Sequence, residues 1–212
     1  MSFKKAILFL TFNRPNVSQK VFEKIRSVKP ERLYFASDGA RPDKEKEEII
    51  VSELRKSILN KIDWDCEVKT LFRSHNLGCR NAVSSAIGWF FEHEEMGLII
   101  EDDCLPDNSF FDYCSTMLDR YKNDKRVWHI NGFNPLSEIT EQETYFFSLI
   151  PSVWGWATWR DRWKEYDVNI IDYPNVRDHI LNNFPNKKLS KFWIHKFDNS
   201  QNIDTWDYQW LF

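Results

Sequence analysis

The chain has 212 residues, of which 29 are basic and 32 acidic, for a net charge of -3, a length that supports one domain with a full core. That near balance gives no electrostatic case for binding bulk nucleic acid or an anionic surface, and it directs attention to a small ligand. The apolar run from Ala6 to Phe12 is too short to span a bilayer and the opening residues lack a cleavage pattern, so a cytoplasmic protein is expected.

Strand and helix patterns alternate through the first half. Lys5 to Thr11 reads as an apolar strand, and Pro15 suits the first turn of a helix whose Val17, Val21, Phe22, Ile25 and Val28 share one face. Leu33 to Ser37 is a second strand ending at the turn signal Asp38-Gly39. Pro42 is expected to open a charged helix with Ile50, Leu54 and Ile58 inward, and Cys66 to Phe72 a third strand. After Gly78 a helix carries Ala82, Val83, Ala86, Ile87 and Phe90 on its core side. Cys66, Cys79, Cys104 and Cys114 lack CxxC spacing and read as free, buried thiols.

The fourth strand, Leu98 to Ile100, ends in three consecutive carboxylates, Glu101, Asp102 and Asp103. Such crowding is relieved by a hard cation, Mg2+ or Mn2+, although a solvated turn has the same composition. A β/α alternation of this kind predicts an α/β fold, a mostly parallel Rossmann-like sheet between helices in three layers, with ligands beyond the carboxyl ends of the strands. Asn13, Arg14, Asp38, Arg73 to Asn76 and the acidic triplet all fall at those ends. No GxGxxG follows the first strand and no GxxxxGK[ST] occurs, so phosphate would be held by metal, arginine or backbone amides rather than by a glycine-rich loop.

Composition changes near residue 150. Seven of the ten tryptophans lie between Trp154 and Trp210, and Trp156, Trp159, Trp163 and Tyr166 recur at helical spacing, which predicts that most of them are core. Gly155, between two indoles, lets the backbone turn and approach a ligand, and indoles stack on the apolar faces of sugars. Asp204 and Asp207 lie three apart beside tryptophans. One of them could serve as a base whose pKa desolvation raises, or both could be helix-start acids.

In order along the chain these residues resemble the GT-A-fold nucleotide-sugar glycosyltransferases, especially the inverting N-acetylglucosaminyltransferase I type and related bacterial sugar transferases. Ile7 to Arg14 resembles the family's first strand with its nucleotide-contacting arginine, and Ala36-Ser37-Asp38 its second-strand aspartate. Leu98 to Asp103 resembles the metal strand, and Leu105 to Tyr113 the helix after it. Trp154-Gly155-Trp156 resembles the donor-side loop, and Trp206 to Trp210 the start of the base-bearing helix. The resemblance implies that Asp103 ligates Mn2+ or Mg2+, Asp102 approaches the ribose, Glu101 contacts the donor sugar, and Arg14 and Asp38 hold the nucleotide. Asp207 is then the preferred general base and Asp204 the second.

The implied reaction moves a sugar from a nucleoside-diphosphate donor, expected to be UDP-linked, to a glycan or glycolipid hydroxyl with inversion; the glycolipid would give peripheral contact with a membrane. Residues 1–104 would form the nucleotide half and 105–212 the half for donor sugar and acceptor. The family continues past this point with a histidine-containing stretch, so the ending Trp210-Leu211-Phe212, taken as exposed, reads as a truncation. His75, His93, His129, His179 and His195 carry no ligand motif. Two other readings stay open: a sugar nucleotidyltransferase, disfavoured by the glycine-poor Phe12-Asn13-Arg14-Pro15, and a non-catalytic domain that binds sugar or nucleotide.

Overall fold

The computed structural model describes residues 2–134, 145–183 and 186–212. Its centre is a six-stranded sheet. The strands β1 (Ala6–Thr11), β2 (Arg32–Ser37), β3 (Glu67–Phe72) and β4 (Met96–Glu101) run parallel, and β6 (Trp156–Trp159) lies antiparallel between β4 and β5 (Ile130–Asn131), giving the order β3-β2-β1-β4-β6-β5. The expected mostly parallel α/β sheet is therefore present, closed on one side by an antiparallel pair.

Period-2 alternation divides the sheet's side chains between two cores. Ile7, Phe9, Leu33, Phe35, Leu98 and Ile100 face helices α1 (Pro15–Val28), α2 (Glu47–Asn60) and α4 (Asn108–Tyr121), through Phe22, Leu54 and Phe111 among others. Ala6, Leu8, Leu10, Tyr34 and Ile99 face α3 (Gly78–His93) through Ile87 and Phe90. Since both faces are covered, β1 and β4 are apolar at nearly every position, as parallel strands require.

Two local expectations change. The second helix starts at Glu47, not at Pro42, because the Glu47 carboxylate accepts the Arg41 backbone N–H (2.7 Å) and its guanidinium, which holds residues 41–46 as turns ahead of the helix. Val51 rather than Ile50 joins Leu54 and Ile58 inside. The tryptophan run is not one helix either: Trp156 to Trp159 is strand β6, and only α5 (Arg160–Trp163) is helical. Trp156 and Trp159 consequently enter opposite cores. Most of the indoles are buried, as expected.

The remaining helices are α6 (Tyr173–Asn183), α7 (Lys187–Asn199) and α8 (Asp207–Leu211). The first two pack on each other around Ile170, Tyr173, Ile194 and Phe197. Trp210 of α8 is not exposed but buried against Trp156 and Trp163, with ring centroids 5.5 and 5.2 Å away. Among the described residues no helix is long and apolar enough to cross a membrane.

Candidate functional site

The strand order reverses between β1 and β4, and at such a switch point the loops leaving the two carboxyl ends diverge and open a crevice. Arg14 leaves β1 there and the acidic triplet leaves β4. The Arg14 guanidinium spans both aspartates, pairing with Asp102 and, at 2.9 Å, with Asp103. Ser18, one turn into α1, donates its hydroxyl to the other oxygen of Asp102 at 3.0 Å. Asp102 is 2% exposed. Burial pushes its pKa up, and the hydrogen bonds from Arg14 and Ser18 pull against that.

Glu101 has a different setting. Desolvation, reinforced by the charges of Asp103, Asp102 and Asp207, raises its pKa to about 7. The Asp103 side chain, by contrast, is half exposed.

The triplet stands between two cavities. Glu101 and Asp102 border a slot of about 310 Å³ that also reaches Thr11, Arg14, Asp38 and Arg73. Asp103 borders a cleft of about 1280 Å³ that runs to Trp128, Phe133, Trp154 and Gln209. The slot has the dimensions of a small-ligand pocket and the cleft is larger than most. The Thr11 hydroxyl, at the wall of the slot, is buried and has no partner among the described residues.

Asp38 builds the slot's floor. Its carboxylate accepts the backbone N–H groups of Gly39 (2.9 Å) and Leu77 (3.0 Å) and the Asn76 amide (2.9 Å), so its lone pairs are committed to joining the β2 turn to the loop before α3. Arg55 ties the same strand ends together through the carbonyls of Ser37, Asp38 and Arg73. Asp38→Asn replaces an acceptor oxygen by a donor facing donors. The expected result is a loss of about 2 kcal/mol in denaturant unfolding.

The other end of the chain is carried to the triplet by α3. Asp204 accepts the N–H groups of Cys79 (2.9 Å) and Arg80 (2.8 Å) at the start of that helix, and Gly78, at φ +77°, makes the turn beneath it. The Arg80 guanidinium binds the carbonyls of Ser200 and Ile203 and, at 3.3 Å, that of Thr205. This clamp fixes α8, whose Asp207 accepts a hydrogen bond from the Thr205 hydroxyl and contributes to the field on Glu101. Of the two candidate bases, Asp204 borders the slot with Glu101 and Asp102 but is occupied as a helix cap, while Asp207 is near enough for its charge to act on Glu101.

The tryptophan loop is split. Trp156 is buried in β6, whereas Trp154 is 62% exposed and stacks edge-to-face on Phe133 at 4.9 Å. Gly155, at φ +75°, turns the chain between them, and its carbonyl accepts the Gly132 N–H at 2.9 Å. His129 is half-buried and structural: its ring stacks on Trp156 at 4.7 Å, bonds the Ser152 carbonyl (2.8 Å) and accepts the Trp210 indole N–H (3.1 Å). Sequence reasoning missed Ser18, Thr11 and Gln209. Of these only Ser18 had a signal, one helical turn beyond Arg14.

Among the described residues no three His, Cys, Asp or Glu side chains gather closely enough to hold a metal by themselves. Asp103, half exposed and paired with Arg14, is the carboxylate of the triplet that could hold a hard cation, with phosphate and water completing its shell.

No protein-family model matches the chain, and no curated protein matches its sequence. Among solved structures it is similar to HddC from Yersinia pseudotuberculosis, with a TM-score of 0.37 and 10% identity, covering 56% of this chain and 55% of that one. It is also similar to 4-diphosphocytidyl-2C-methyl-D-erythritolsynthase from Anaerococcus prevotii DSM 20548, with a TM-score of 0.39 and 11% identity, covering 90% of this chain and 84% of that one. The chain therefore spans about half the length of the first of these.

Proposed function

We propose that the chain is a glycosyltransferase that moves a sugar from a nucleoside-diphosphate donor, UDP-linked, to a neutral hydroxyl of a glycan or glycolipid. The observation that supports this reading is the acidic triplet standing between a nucleoside-sized slot and an aromatic cleft. A nucleotide in the slot places its diphosphate at the boundary, beside Arg14 and Asp103, and projects the sugar into the cleft. Residues 1–104 then supply the nucleotide side, and most of the cleft belongs to 105–212.

In this arrangement Arg14, freed from Asp103, pairs with phosphate oxygens, while its remaining arm neutralises Asp102, which also keeps the hydrogen bond from Ser18. Asp103 would hold Mn2+ or Mg2+, which supplies charge neutralisation to the departing diphosphate. Asp207 accepts the proton of the acceptor hydroxyl as its oxygen attacks the anomeric carbon opposite the leaving diphosphate, with inversion. Asp38 acts through the loop it anchors. Of the tryptophan loop, Trp154 and Gly155 face the substrate and Trp156 supports them from the core.

The test is thermal unfolding with Mn2+ and a panel of nucleoside diphosphates, because a ligand that binds the native state raises the midpoint. UDP with Mn2+ is expected to raise it by a few degrees, and UDP alone much less. Asp103→Ala should abolish the metal dependence. Equal stabilisation with and without Mn2+, or none with any nucleotide, would remove this reading.

A further inference from the structure

Gln209 is 3% exposed, and neither its amide nitrogen nor its amide oxygen has a hydrogen-bond partner among the described residues. It nevertheless lines the aromatic cleft. A carboxamide carries two donors and an acceptor oxygen with two lone pairs, and a buried one left unmet is a standing cost to the folded state. The Gln209 amide takes no part in the aromatic packing of this segment, since Trp206 and Trp210 supply the contacts toward Trp156 and Trp163.

The surroundings narrow what could meet it. Trp128, close to half exposed, has its ring 6.3 Å from that of Trp210, the residue after Gln209. Trp154 and Phe133 extend the aromatic wall along the same cleft. The charged lining is mainly acidic, with Asp103, Glu165, Asp167 and Asp172, and the cation Arg126 is already paired with Asp124 at 2.7 Å. An anion is repelled by such a lining. A purely apolar chain would leave the amide unmet. A neutral saccharide satisfies both features, because its C–H face stacks on an indole while its hydroxyls each donate and accept.

We infer that Gln209 is a saccharide-recognition residue: a neutral acceptor sugar stacks on Trp128 and is held by the Gln209 carboxamide, which turns toward the cleft to meet a pair of its hydroxyls. This rests on the glycosyltransferase reading only in calling the sugar an acceptor; binding is tested with neither nucleotide nor metal.

The experiment uses the full chain and four probes, the methyl glycosides of glucose, galactose, mannose and N-acetylglucosamine, titrated by tryptophan fluorescence. At least one is expected to bind in the millimolar range. Gln209→Met, which keeps the chain length without the polar atoms, should weaken that probe by about tenfold while raising the unfolding midpoint. Trp128→Ala should weaken it to a similar degree. Gln209→Leu replaces Gln209→Met if the latter does not fold, and if neither folds the outcome for Trp128→Ala decides.

Two results would overturn the inference. One is that none of the four probes binds up to about 100 mM, weaker than any affinity of use to a specific site. The other is unchanged affinity in the deciding variant; if the midpoint also falls, Gln209 is a structural amide bridged by buried water. Stabilisation by Mn2+ and UDP is measured on the same samples. If it persists while the sugar result is negative, only this inference fails; if it is absent while the sugar binds, the donor reading fails and the saccharide site stands.

Discussion

Asp207→Asn is expected to lower the rate of sugar transfer by about 10²- to 10⁴-fold, the usual contribution of a positioned base, with Mn2+-dependent nucleotide binding unchanged. The argument is positional. Arg80 grips the carbonyls of residues 200, 203 and 205, so α8 begins at a fixed place, and the Thr205 hydroxyl orients the first oxygen of Asp207. That leaves the second oxygen to take a proton. Asparagine keeps the size and the Thr205 contact but cannot accept the proton, so binding and turnover should separate. The companion variant Asp204→Ala should do the reverse: it removes the carboxylate from the Cys79 and Arg80 amides and costs about 1 to 2 kcal/mol of stability, with turnover per folded molecule retained. Single-turnover transfer and chemical denaturation on both variants check the pair. Full transfer by Asp207→Asn, or its loss in well-folded Asp204→Ala, would reverse the assignment.

The first four strands were legible because a parallel strand covered on both faces is a short apolar run bounded by turn residues, and Ile7 to Leu10 and Leu98 to Ile100 have that form. Strand β6 was not. Trp156 and Trp159 are three apart, which matches a helix face, yet each is buried because the sheet there has a core on either side. Periodicity reports a boundary between apolar and polar surroundings, and where none exists it reports nothing.

The candidate site divides on similar lines. Arg14 and the acidic triplet could be placed together from the sequence because the carboxyl ends of neighbouring strands share one rim, and the structure pairs Arg14 with Asp102 and Asp103. Asp38 and Asp204 had the right residue type at plausible positions, but what a carboxylate does depends on which amides reach it. Those amides, at Leu77 and at Cys79 and Arg80, come from a loop and a helix start about 40 and 125 residues away along the chain. Gln209 had no signal at all, since an unmet amide is visible only when every neighbour is known.

Acid should weaken the fold through His129. Burial pushes its pKa down to about 4 from 6.5, against the pull of the Ser152 carbonyl. The neutral ring is also the form its partners need, with Nε2–H donating to Ser152 and Nδ1 accepting from Trp210; a proton on Nδ1 would oppose the indole N–H and loosen α8 from β5. Because the folded pKa lies below the unfolded one, the unfolded chain takes up the proton first. Stability from this residue is therefore complete above pH 6.5 and declines as the pH falls toward 4. The full difference is about 3 kcal/mol, or about 10 °C in the midpoint for a chain of this length. His129→Gln keeps an N–H donor and an acceptor oxygen with no titration, so unfolding midpoints followed from pH 7.5 to 4 should lose this component of the slope. A slope unchanged in His129→Gln would show that the ring is protonated in the folded chain, and with it that Trp210 is held to the sheet by packing alone.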